Sequence, residues 1–398
     1  MNRREFIQGS VLAAAGCLTG CRSPATGGGS YSVALTGDLH YDRLPIDLFH
    51  SAFRAAHGED GMFARYRAEL EVFASMWGEG GRSAGLVAAS GRCRRPDTVF
   101  ALQLGDLVEG NCESSEAHAK VLGEAFRLVK GAYGADLPFV AVAGNHDVCR
   151  GRDRLGEYDA YARISSAWNS KELGIGVTGL SFAFRQGPDV WVVADFNRPD
   201  ADLIERLLEE NRAERYTFFC THGAVLTDGA RRVRRWFYLG GPQYDATGRH
   251  LSHWPAEEWE RYGAARRKVR RLLAERQAIA LSGHSHRLEL RDWFGDGGRI
   301  TEFVMNSVTK ALNGADFPGV PLVFGSRPED FGRCRRLPNE QQSAAVEALY
   351  AEYEPGMRRY FTANAAGHAR LRISDEAVLA EYFPLDATVP ERTFELRS

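Results

Sequence analysis

The sequence predicts an α/β fold with its functional site at the ends of the strands, and three observations carry that prediction. First, five short apolar runs are each followed at once by glycine or histidine: Ser32–Thr36, Thr98–Leu104, Pro138–Ala143, Tyr216–Thr221 and Ala280–Ser282. Continuous apolar strands bounded by glycine belong to sheets buried on both faces. Second, segments of helical spacing separate these runs. Third, each run delivers acidic, amide or imidazole side chains just past its end, where ligands and reacting groups collect in such sheets.

In chain order, Ser32–Thr36 leads into Gly37-Asp38-Leu39-His40. Residues at i and i+2 of an extended segment share a side, so Asp38 and His40 present together. Phe63–Trp77 reads as an amphipathic helix and Gly78–Pro96 as a loop. Thr98–Leu104 ends in Gly105-Asp106, with Glu109 three residues on. Ser114–Lys130 has helical spacing, and Pro138–Ala143 ends in Gly144-Asn145-His146-Asp147. Ser181–Phe184 and Val190–Ala194 read as a hairpin around Gly187-Pro188. Asp200–Arg212 follows as a helix with Leu203, Ile204, Leu207 and Leu208 on one face. Tyr216–Thr221 delivers His222-Gly223, and Pro255–Arg276 reads as a long basic helix whose arginines form a solvated face. Ala280–Ser282 then opens into Gly283-His284-Ser285-His286, a second i, i+2 pair. Leu288–Phe294 and Arg299–Asn306 form a hairpin, and Arg359–Ala363, Ala369–Ile373 and Val378–Phe383 close the chain as strands. Gly-Asp and Gly-Asn are ordinary turn pairs taken singly; five strand ends in series are not.

The order Asp-x-His, Gly-Asp-x-x-Glu, Gly-Asn-His-Asp, His, Gly-His-x-His resembles that of the calcineurin-like metallophosphoesterase family, from about Tyr31 to the end of the chain. The resemblance implies a four-layer αββα sandwich of two mixed sheets flanked by helices, with metals at the sheet edge. It implies two ions: Asp38, His40 and His286 on the first, Asn145, His222 and His284 on the second, and Asp106 bridging both. Carboxylate, imidazole and amide oxygen together suit Mn, Fe or Zn. Two such ions activate a bridging hydroxide toward phosphorus while polarising a phosphoryl oxygen. His146 matches the family's leaving-group acid. Glu109 stands where many members carry an aspartate that orients this histidine; Asp147 is the rival orienter, or a turn carboxylate. Purple acid phosphatases of the superfamily carry a tyrosine ligand at the position of Glu109, so an iron–phenolate centre is not expected. The implied activity is hydrolysis of a phosphorylated small molecule. A diesterase or pyrophosphatase is the alternative to a monoesterase, and a non-catalytic module of the same fold is the rival of another class.

With 50 Lys+Arg against 52 Asp+Glu, the net charge is −2, so the chain has no global field for nucleic acid, and no nucleic-acid binding is expected. Residues 1–21 read as a leader: Arg3-Arg4 and the apolar Val11–Ala15 resemble a twin-arginine signal, and Leu18-Thr-Gly-Cys21 resembles a lipoprotein processing box. A plain cleaved signal is the alternative. Residues 22–30 then form a flexible tether, and 31–398 form the phosphoesterase domain, with insertions at about 42–96, 224–254 and 309–354. The expected location is the periplasm or cell envelope, with membrane contact through the lipid alone. Five cysteines remain beyond the leader, an odd number without a CxxC, and they define no pairing.

Overall fold

The alternation of apolar residues along the central strands decides the architecture. In a computed structural model, residues 29–42, 75–110, 115–148, 154–226, 256–309, 322–330 and 351–398 are described. The leader, most of the tether, most of the helix expected at 63–77 and the bulk of the 224–254 and 309–354 segments lie outside them. The strand Asp189–Val193 (β5) shows the principle. Trp191 and Val193 enter one apolar cluster, while Val190 and Val192 enter another on the opposite face. A strand covered on both sides has no polar face, which is why it reads as one apolar run.

Two sheets stack face to face. One contains Tyr31–Thr36 (β1), Thr98–Gln103 (β2), Phe139–Ala141 (β3), Gly367–Ile373 (β12), Val378–Pro384 (β13) and Arg392–Arg397 (β14). Its order is β14-β13-β12-β1-β2-β3, with β1, β2 and β3 parallel. The other contains Phe182–Gln186 (β4), β5, Thr217–Cys220 (β6), Ile279–Ser282 (β7), Leu288–Gly295 (β8), Gly298–Val304 (β9), Leu322–Gly325 (β10) and Met357–Asn364 (β11). Its order is β10-β11-β8-β9-β7-β6-β5-β4, with β5, β6, β7 and β9 parallel. The inner faces share a core that includes Val33, Leu35, Phe100, Leu102, Trp191 and Phe218.

Helices cover both outer faces. Arg82–Arg92 (α1), Ser115–Tyr133 (α2) and Arg154–Leu173 (α3) bury Leu86, Phe126 and Tyr161 against the six-stranded sheet. Ala201–Glu210 (α4) and Ala256–Glu275 (α5) bury Ile204, Leu208, Val269 and Leu273 against the eight-stranded one. The four-layer αββα sandwich of two mixed sheets is therefore the fold, as expected.

Two expectations are corrected. Gly78–Pro96 is not a loop throughout, because α1 occupies its middle. Its glycines suggested a turn, yet Gly91 permits close packing: a Cβ there would meet the Ala132 carbonyl oxygen of α2 at 2.1 Å. The arginines of α5 are not all solvated either. Arg266 and Arg270 are buried, donating to Glu352, Tyr353 and Asp296. Besides α1, three elements had no strand or helix assigned from the sequence: α3, β10 and β14. Cys93 and Cys220 are free thiols. No described helix is long and apolar enough to cross a membrane.

Candidate metal centre

The parallel strands of both sheets end at the same edge of the sandwich, and their ends bring the sequence-predicted residues together. Asp38 and His40 follow β1, Asp106 and Glu109 follow β2, and Asn145 and His146 follow β3. From the facing sheet, His222 follows β6, and His284 and His286 follow β7. Backbone bonds lock the two sets. Asp38 and His40 donate N–H to the carbonyls of Gly105 (3.0 Å) and Asp106 (2.9 Å), and Gly283 donates to that of His222 (2.9 Å).

Among the described residues the ligand-type atoms fall into three groups; one is His40, Glu109 and His146, and the other two share Asp106. Those of Asp38, His40, Asp106 and His286 all lie within 4.8 Å of one another, and so do those of Asp106, His222 and His284. Ring nitrogens converge: His40 Nε2 lies 3.1 Å from His286 Nε2, and His284 Nδ1 lies 3.1 Å from His222 Nε2. The Asn145 amide oxygen, the remaining expected ligand, is buried without a partner. Buried amide oxygens are ordinarily hydrogen-bonded, so this oxygen beside the cluster is open to a cation; the Asn197 oxygen nearby also has no partner. The residues present fit two metal ions.

Outer contacts fix the imidazoles. His222 Nδ1 donates to the Leu104 carbonyl at 2.7 Å, leaving Nε2 to face Asp106 at 3.1 Å. His40 Nδ1 donates to Glu109 Oε2 at 2.6 Å, leaving Nε2 for the site. Such second contacts set tautomer and ring direction in metal sites. Gly105, at φ +88°, lets the chain pass under His222; a Cβ there would lie 2.5 Å from its Nδ1.

The backbone is strained where the expected ligands stand. Asp38, His40, Asp106, His284 and His286 have φ between 46° and 69°, in the left-handed region. Each such non-glycine residue costs about 1–3 kcal/mol and persists only where its surroundings over-determine it.

Charge follows from burial and neighbours. Burial would push the Asp106 carboxyl up, but the His222, His146 and His40 imidazoles outweigh it and hold it well below the usual range. Glu109 is likewise held low against burial, by His146 and His40. Burial keeps His40 neutral despite Glu109, and burial followed by the neighbouring His222 keeps His284 neutral. Burial also disfavours the His222 cation, yet Asp106, Asp38 and the Leu104 carbonyl prevail, and its pKa is pushed up to about 9. Ionised carboxylates and neutral imidazoles are the forms that bind metals, and a metal ion at His222 would displace its proton.

Of the two rival orienters, Glu109 reaches His146: His146 Nδ1 lies 3.0 Å from the Glu109 carbonyl oxygen and 3.2 Å from Oε1. Asp147 instead accepts the backbone N–H groups of Gly144 (2.8 Å), Asp106 (2.9 Å) and Val108 (3.1 Å), which staples the loops together. Burial, followed by the Asp106 charge, pushes its carboxyl up to about 7.

The family model for calcineurin-like phosphoesterases matches residues 31–288. The chain belongs to that family. The family is one of phosphoesterases, and the hydrolase expected from the sequence stands. No protein of curated function matches the chain in sequence. Among solved structures it is similar to a purple acid phosphatase from yellow lupin (Lupinus luteus) seeds, at 12% identity and a TM-score of 0.46. That match covers 93% of this chain but 54% of the lupin one, so the chain spans about half of its length. It is also similar to a dimetal phosphatase from Danio rerio, at 12% identity and a TM-score of 0.42, over 92% of this chain and 98% of that one. A third likeness is to GAP50, described as the anchor in the inner membrane complex of Plasmodium, at 10% identity and a TM-score of 0.43, over 92% and 89% of the two chains.

One corner of the site carried no functional reading in the sequence. Asp195-Phe196-Asn197 follows β5 and packs against the His222, His284 and Gly144 positions. Its signal was available, since Val190–Ala194 is a sixth apolar run ending in an acid and an amide.

Proposed function

We propose that this protein hydrolyses phosphate esters of small molecules with two metal ions held at the sheet edge. The observation that carries the reading is the pair of ligand groups sharing Asp106. Asp38, His40 and His286 would hold one ion, Asn145, His222 and His284 the other, and Asp106 both. Bound there, the ions would supply Lewis acidity at phosphorus and a water acidic enough to attack it near neutral pH.

The protein's own groups do the rest. His146 is the general acid: its side chain is 19% exposed beside the buried ligands, so it can meet a substrate oxygen and protonate the departing alkoxide. Glu109 serves two histidines, directing His146 through Nδ1 and His40 through its own Nδ1. Asp147 holds the loop that carries Asn145 and His146 through three backbone bonds. In the same reading the chain is exported through its twin-arginine leader and held at the cell envelope by a lipid on Cys21.

The deciding experiment loads metal-stripped protein with Mn, Zn or Fe and measures turnover on monoesters, diesters and pyrophosphate esters, with metals quantified in the same samples. Activity that tracks two metal equivalents supports the reading. Full activity without metal, or none on any ester with both sites filled, sinks it.

A further inference from the structure

The two proposed ion positions are held by different parts of the chain. At the first position, His40 is directed by Glu109, and Asp38 accepts the His284 backbone N–H at 2.9 and 3.0 Å. At the second, all three unshared ligands lean on three consecutive residues after β5. Asn197 is fully buried and donates from Nδ2 to the Gly144 carbonyl at 3.0 Å. That carbonyl belongs to the peptide unit preceding the Asn145 Cα, so the bond fixes the plane from which the Asn145 side chain departs. The amide has one workable orientation, because a flip would set its oxygen against the Gly144 oxygen.

Phe196 handles the other two. Its ring centroid lies 5.4 Å from that of His222 and 5.0 Å from that of His284. It also lies over Gly223, where a Cβ would come within 2.0 Å of the ring. An aromatic wall on both imidazoles restricts the turning of each ring about its Cβ–Cγ bond. The corner is itself fixed: Asp195 Oδ1 accepts the Asn197 N–H at 2.8 Å, Oδ2 accepts the Tyr158 hydroxyl, and the Asp195 N–H donates to Ser181 Oγ at 2.9 Å.

We infer that Phe196 and Asn197 are positioning residues for the second ion alone. The inference rests on the two-ion reading of the site. Outer contacts of this kind change metal affinity by about 10–100-fold when removed. The corner's contacts are with His222, His284 and Gly144, and it reaches the first position only at second hand, through the His284 N–H on Asp38 and the shared Asp106, so the affinity there stays unchanged.

The test titrates Mn²⁺ into metal-stripped full-length protein, wild type against Asn197→Ala and Phe196→Leu, by calorimetry and electron paramagnetic resonance. Phe196→Leu keeps apolar bulk over Gly223, and thermal melts of the metal-free proteins check folding. If Asn197→Ala does not fold, Phe196→Leu carries the comparison. The wild type should take two equivalents and show the spectrum of a coupled manganese pair. The variants should take the first equivalent with wild-type affinity and the second about 10–100-fold more weakly. At two equivalents they should show isolated manganese, with pairing restored by excess metal. Variants that titrate like the wild type, or that weaken both equivalents equally, overturn this inference alone. A wild type that takes fewer than two equivalents overturns the functional reading, and this inference with it.

Discussion

The same strands run between two ends built on opposite terms. At the end opposite the metal centre, β5 starts at Asp189, a fully buried carboxylate. It accepts from the Tyr31 hydroxyl at 2.8 Å, from Arg215 Nε at 3.0 Å and Nη2 at 2.6 Å, and from the Tyr216 N–H at 3.0 Å. Arg215 continues to the Gly29 carbonyl and to Asp375. At the site end, five ligand positions sit in left-handed backbone and the Asn145 oxygen has no partner. One end spends its polar groups on each other; the other keeps them facing a common point. What differs is purpose: a buried charge network locks the fold, while the strained end is arranged for a ligand the chain does not itself supply.

Breaking the site end should change chemistry with little change in fold. The largest effect is expected for Asp106→Asn, since this carboxylate is shared by two ligand groups. Loss of charge there should lower kcat/KM by at least about 10³-fold, because metal ions contribute several kcal/mol of charge stabilisation. Metal analysis should show both equivalents reduced. Two retained equivalents with full activity would remove Asp106 from the centre.

His146→Ala should come next and separate binding from chemistry. Its backbone N–H contacts Asp106 Oδ1 at 2.7 Å and survives the substitution, so metal content should hold. Turnover should fall about 10²–10⁴-fold, the range for losing a general acid. The loss should be greatest for alkyl esters and least for nitrophenyl esters, whose leaving groups need little protonation. A uniform loss across leaving groups, or loss of a metal, would assign His146 another role.

How much of this was legible in the sequence differs between the two ends. The site residues follow apolar runs, and their order survives in a linear reading because each strand carries its own motif. Asp189 and Arg215 are 26 residues apart, and Tyr31 is 158 residues from Asp189. No local pattern announces such a pairing. Arg266 and Arg270 read as solvated for the same reason, since Glu352 lies more than 80 residues on. Helix α1 was hidden by Gly85 and Gly91, and the packing role of Gly91 appears only when α2 is beside it. Asp195–Asn197 drew no reading because it lies in the short connection between β5 and the Asp200 cap of α4.

Breaking the opposite end should do the reverse. Asp189→Asn removes the carboxylate that pairs with Arg215, whose side chain is only 11% exposed. Removing one partner of a buried pair costs about 3–5 kcal/mol. The low end, about 3, is expected here because Gly29 and Asp375 still receive Arg215. Urea unfolding of the metal-free protein should report that loss, while kcat on the metal-loaded enzyme stays within about twofold of wild type. A large fall in kcat with unchanged stability would mean that the two ends are coupled.

The smallest effect sharpens the comparison at a histidine outside the ligand groups. His368 lies at the end of β12 nearer the site, stacked on Phe383 at 4.9 Å, with Nε2 donating to the Ala387 carbonyl at 3.1 Å. Burial lowers its pKa to about 4, against the help of the Ala387 carbonyl. The unfolded chain takes up this proton near pH 6.5 and the folded one does not. His368 therefore stabilises the fold fully above pH 6.5, and the contribution is lost as pH falls from 6.5 toward 4. By pH 5 the loss is about 2 kcal/mol. His368→Gln keeps a donor for Ala387 and cannot titrate. Unfolding of metal-stripped wild type and variant at pH 7 and pH 5 should show the variant's deficit shrinking by about 2 kcal/mol at the lower pH. Metal removal matters because protons compete with metal for ligand side chains, which would otherwise add metal release to the same measurement. An equal deficit at both pH values would show that His368 is solvated enough to titrate normally.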